Sequence, residues 1–251
     1  MGYISSGDWI RYVNRLAALS QKAADEMRRY IQRVGFGDTN ALIDYAYALA
    51  TKYGEGTAAL AAEMYDATAA LEGVFLEPAI PAATATVKEV AETVQGVVEK
   101  SRNDEMLSSA VGRLVKLAGA DTALQNAVRD SAEFSWVPVG DTCAYCIMLA
   151  SGGWRVAGKK TLNGKHATHI HANCDCTYAV RHSSDTNIRG YDPAEYKKLY
   201  YGADGTNYKQ RVNSMRREFY AENSERINAQ KRDAYAKRRE REASAAEELD
   251  V

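Results

Sequence analysis

Residues 143–146, CAYC, and residues 166–176, HATHIHANCDC, hold all four cysteines and three of the four histidines of this 251-residue chain. The remaining histidine, His182, follows shortly after. Packing alone does not explain such a concentration. Two thiolates in C-x2-C point at one centre from a tight turn, whose amides bond the sulfurs. His171, Cys174 and Cys176 form a second half, H-x2-C-x-C. Two donors from each half complete the four N/S ligands that tetrahedral Zn2+ prefers. The gap between the halves is longer than in most zinc ribbons and has room for a short helix over IMLAS and a strand at WRV.

Five donors compete for four places. Cys143 and Cys146 are the firmest, and His171 with either Cys174 or Cys176 completes the set. Cys174 and Cys176 stand two apart and can face one side of a strand. If both bind, His171 is left to bond a ligand from outside. His166 and His169 are lesser candidates, and Asp141 and Asp175 are placed to orient an imidazole or soften the thiolate charge. Two other readings compete: a redox pair, which expects a βαβ context that these flanks lack, and ordinary core cysteines.

A catalytic zinc needs an open coordination position and usually a carboxylate base. The chain has no H-E-x-x-H, no deaminase H-x-E, no G-x-S-x-G and no P-loop motif. A thiolate-rich site with more donors than places reads as closed, so a structural zinc is expected. The competing enzyme reading is a zinc-dependent hydrolase or nuclease using His166, His169 or His182. A third is a DNA-binding zinc module with a basic helical tail.

Around the cysteine segment the chain reads as mainly α, in an α+β class. Residues 1–76 form an N-terminal helical region, 77–87 a linker marked by Pro78 and Pro81, and 88–135 a second helical region. Residues 136–206 form the Cys/His module with its following helix, and 207–251 a charged helical tail. The first helix starts at Ser5, Ser6 or Asp8, carries Trp9, Tyr12, Val13, Leu16, Leu19, Ala23, Met27, Tyr30 and Ile31 at spacings of three and four, and stops at Gly35. A second helix runs from Asp38 or Thr39 to Gly54, and a third to Gly73. Tyr45, Tyr47, Tyr53 and Tyr65 read as core and rim. Past the linker three more helices are expected, the last capped by Asp121 or Thr122.

WVPV, WRV and TYAV are the strands of the module. Asp192, Pro193 and Glu195 open a further helix with a capping box, ending at Gly202. In the tail, eleven Lys/Arg balance nine Asp/Glu from residue 208 onward. Val212, Met215, Phe219 and Ile227 supply a thin apolar stripe, so the first half docks and the second is solvated or seeks a partner. The KRRER run is interleaved with acids and reads as a solvated face before a nucleic-acid contact. A net charge of −1 predicts no polyanion partner for the whole chain. No membrane span and no signal peptide are expected, and the sparse, clustered cysteines suit a chain folded in cytosol.

VPVGDTCAYCIMLASGGW followed by HANCDCTYAV resembles the phage head-morphogenesis proteins, the MuF-like minor capsid proteins, and within them the branch from phages of actinobacteria. The matching positions are Val137, Pro138, Gly140, Thr142, Cys143, Cys146, Leu149, Ala150, Ser151, Gly153, His171, Cys174, Asp175 and Cys176. Tyr145 stands where that pattern has Phe, Gly152 where it has Arg, and the proline expected after Cys176 is missing. None of these changes removes a candidate ligand. The helical front end and YDPAEYKKLY extend the likeness over roughly residues 35–202. The resemblance implies a virion component, made in host cytoplasm, that binds portal protein, major capsid protein or scaffold protein inside the procapsid. Residues 207–251 are too few and too charged for a fused enzyme domain.

Overall fold

Helix accounts for 67% of the chain, so the mainly α reading holds, with a small amount of strand. The computed structural model describes residues 3–140, 142–163, 170, 174 and 176–249. Helix α1, Ser6–Val34, is capped by the Ser5 side chain, which accepts from the Asp8 N–H. It buries Trp9, Tyr12, Val13, Leu16, Ala23, Met27 and Ile31 along one face. Gly35 ends it at φ 69°.

The second and third helices of the sequence reading are one. Helix α2 runs unbroken over Thr39–Leu71. Gly54 lies inside it and does not end it. A Cβ there would come within 2.9 Å of the Thr84 methyl, so the glycine admits a neighbouring segment. The fifth and sixth helices are likewise one, α4, Asp104–Arg129. Gly119 sits 3.1 Å, measured from an added Cβ, from the carbonyl oxygen of Thr57 on α2. The Thr57 hydroxyl donates across that crossing to the Val115 carbonyl at 2.7 Å. Thr122, expected as a cap, is instead fully buried and bonds the Ala118 carbonyl. Between these helices α3, Val87–Lys100, starts at a full capping box of Thr86 and Glu89.

The segment before α3 is an extended strap laid along α4. The Asn126 side chain accepts from the Ile80 N–H and donates to its carbonyl, both at 2.9 Å. The Thr122 hydroxyl accepts from Ala82, and the Arg129 guanidinium donates to the carbonyls of Glu77 and Pro78.

Strands β2, Glu133–Val137, β3, Arg155–Val156, and β4, Thr177–Arg181, form an antiparallel sheet with β2 in the centre. β3 and β4 fall on the expected WRV and TYAV, whereas β2 starts three residues before the expected WVPV, over residues read as helix, and ends at Val137. Helices α5, Ala144–Ala150, and α6, Lys159–Asn163, connect them. Strand β1, Tyr3–Ile4, pairs in parallel with β5, Asn187–Ile188, and so ties the start of α1 to the end of the module.

The sheet covers one end of the bundle. Trp9, Leu16, Leu60, Leu124, Phe134, Trp136 and Tyr178 share one core. Met27, Leu42, Val90, Val94 and Val111 fill the other, wholly helical end. Helix α7, Pro193–Gly202, is capped by Asp192, whose carboxylate accepts from Ala194, one residue earlier than a capping box would use. Helix α8 extends over Tyr208–Leu249. Val212 and Met215 pack on Ala144 of α5, whereas Phe219 is exposed, so the expected stripe docks for one turn only. The side chains of Ile227 and of the KRRER run lie outside the described residues. Among the described residues no helix is long and apolar enough to cross a membrane.

Candidate metal centre

The two cysteine half-sites meet at the edge of this sheet. Cys143 is the N-cap of α5, and Cys146 lies one turn further on, so both half-site residues address the same side of the helix start. Cys176 directly precedes β4, and Cys174 stands two residues before it. The sulfurs of Cys146, Cys174 and Cys176 all lie within 4.8 Å of one another. Cys146 Sγ and Cys174 Sγ are 3.3 Å apart. Cys143 joins them through thiol hydrogen bonds to Cys146 and Cys174. Cys146 and Cys176 are buried, Cys174 is half-buried and Cys143 is exposed.

This donor set fits a tetrahedral thiophilic ion. Sulfurs about 2.3 Å from a central zinc stand about 3.8 Å from each other, within the range the cluster spans. Its proton chemistry points the same way. Hydrogen bonding from Cys143, Cys174 and Cys176 pushes the Cys146 thiol up. The Cys143 thiol pulls Cys174 down. Cys176 is drawn down to about 4 by the thiols of Cys146 and Cys174, with the Val139 N–H adding to the effect. The four thiols thus share their protons through one hydrogen-bonded network, and a divalent cation would displace those protons.

Of the sequence-derived candidates, the fold brings together Cys143, Cys146, Cys174 and Cys176. His171, with His166, His169, Asp141 and Asp175, lies outside the described residues. His182 stands elsewhere, beyond the far end of β4, about 20 Å along the strand from Cys176. There its ring packs edge-on against Tyr65 at 5.0 Å, its backbone N–H donates to the Glu72 carboxylate, and burial lowers its pKa.

Three supports escaped the sequence reading. The Arg113 guanidinium donates to the Ile170 carbonyl and the Lys116 ammonium to the Cys174 carbonyl, each at 2.8 Å. Both come from α4, and together they fix the chain on either side of His171. Their spacing of three on one helix face was the only available signal. Tyr191 is the third. Its hydroxyl bonds Ser135 of β2 at 2.6 Å and the Ala150 carbonyl of α5 at 3.0 Å, locking the cysteine helix to the sheet.

The family profile described as VG15 protein matches residues 3–203. The chain therefore belongs to the VG15 family, a phage-derived family of viral gene proteins. No curated protein and no solved structure matches it.

Proposed function

We propose that this phage protein is a minor capsid protein of the MuF-like, head-morphogenesis type, which binds portal or inner capsid protein during procapsid assembly and resides in the virion. A structural zinc ion clasps its sheet module. The observation that carries the reading is the convergence of CAYC and NCDC on one closed thiol cluster, in the sequence frame by which the chain resembles those proteins. Four sulfurs leave no open coordination position, so the ion acts on folding and not on a substrate. Membership of a phage family over residues 3–203 supports the same setting.

Co-sedimentation with procapsids prepared with and without portal tests the assembly role. Binding that requires portal assigns the partner as portal protein, and binding to both assigns the shell or scaffold. Absence of binding to either preparation would overturn the reading.

A further inference from the structure

Phe75 projects wholly into solvent, at 101% relative exposure, from a strap whose backbone is fixed on both sides. Before it, the N–H groups of Gly73 and Val74 close the end of α2 on the carbonyls of Ala70 and Ala69. After it, Arg129 holds Glu77 and Pro78, Asp66 accepts from the Ala79 N–H, and Asn126 brackets Ile80. A flexible loop would let a phenyl ring fold back onto apolar neighbours. This strap keeps it out. Leu71, Ile80 and Val87, each more than half exposed, add apolar surface at and beside the same segment.

The surroundings are acidic. Glu77 is exposed on the strap, residues 71–87 contain no Lys, Arg or His, and Lys88 just beyond them lies 3.9 Å from Glu92. The Glu72 carboxylate instead turns inward and accepts from the His182 backbone N–H. Asp66 adds a second exposed carboxylate at the strap. Arg129, the cation lying against it, engages the Asp130 carboxylate as well as the strap carbonyls. Such a rim repels anionic lipid and nucleic acid, and attracts a protein surface edged with lysine or arginine.

We propose that the Phe75 strap is a docking surface for a phage particle protein presenting an apolar, phenyl-sized pocket rimmed by basic side chains. An aromatic anchor on a backbone already ordered before association loses only its side-chain rotamer freedom on docking. The inference rests on the assembly role proposed above and names the face that carries it.

The test is quantitative co-sedimentation of the full chain with procapsids from the phage that encodes it, made without this protein. Phe75→Ala should weaken binding about 30-fold, the size of an aromatic hot-spot truncation. Phe75→Leu should retain most of the affinity. Glu77→Lys and added salt should each weaken binding. Tyr201→Ala, at an exposed aromatic on α7, should leave it unchanged. An unaltered melting temperature would show that Phe75→Ala still folds.

Equal binding by wild type and Phe75→Ala would overturn this surface and leave the assembly role standing. No binding by wild type would remove both. Two further results would overturn the protein partner: Phe75-dependent flotation with vesicles of phosphatidylcholine and phosphatidylglycerol, or Phe75-dependent dimerisation in sedimentation equilibrium.

Discussion

The two ends of the bundle are held by different means. At the helical end, Ala23, Met27, Leu42, Val90, Val94 and Val111 pack on helices of 14 to 33 residues, and Tyr53 of the same core donates its hydroxyl to Glu26 at the rim. At the sheet end the strands have only five, two and five residues, too few to bury much apolar area alone. There the interior contains Ser135, Tyr191, Arg181 and the thiols. Arg181 is 8% exposed, yet its guanidinium bonds Glu133, Asn187 and the carbonyls of Ser184 and Thr186, and lies 4.4 Å from the Trp154 ring centre. Long elements close a core by area. Short ones need directed bonds, and a zinc ion at the cysteine cluster would supply the strongest set of them.

Removing that cluster should separate the two ends most sharply. Purified protein is expected to hold one zinc per chain. Chelation, or Cys146→Ser, should cost several kcal/mol in the module, the scale of a structural zinc site. Amide exchange over residues 133–181 should accelerate by orders of magnitude, while Met27, Leu42 and Val111 keep their protection. Protein that purifies without metal, with four titratable thiols and full protection over 133–181, would sink the zinc assignment.

Much of this contrast was legible in the sequence, for physical reasons that also explain the errors. The helices announce themselves by local apolar spacing and by caps such as Ser5 and Asp192. The cysteines announce themselves because ligand spacing is local within each half. What failed was the reading of Gly54 as a stop and of Asp121 or Thr122 as a cap. Gly54 faces Thr84 and Gly119 faces Thr57, partners supplied by distant parts of the chain. Arg113, Lys116 and Tyr191 stayed hidden for the same reason, since their bonds span 41 to 58 residues.

Two glycines give the next test, because helix propensity treats them alike and packing does not. Gly119→Val should destabilise by about 3 kcal/mol, since its side chain must displace the α2 backbone. Gly96→Ala, on α3 with nothing within 4 Å of the added carbon, should stabilise by roughly 0.5–1 kcal/mol. Denaturant unfolding measures both. Equal effects would mean that α2 and α4 do not approach as closely as the structure shows.

An effect of about the size of the Gly96 one, but dependent on pH, lies where the two ends join. Asp121 sits within α4, and its carboxyl is raised to about 6, first by burial and then by the charge of Glu89. In the unfolded chain it titrates near 3.9. Between those values the native state binds the extra proton, so this group's contribution falls as pH rises from about 4 to about 6. At pH 7 the buried charge is a cost. Asp121→Asn should therefore stabilise by about 1 kcal/mol at pH 7, less than the full shift implies because the group is partly exposed, and by nothing below pH 4. Melting temperatures of both proteins across that range would check it. A benefit that persists at pH 4 would instead show that asparagine packs better, and that the carboxylate is not what strains the joint.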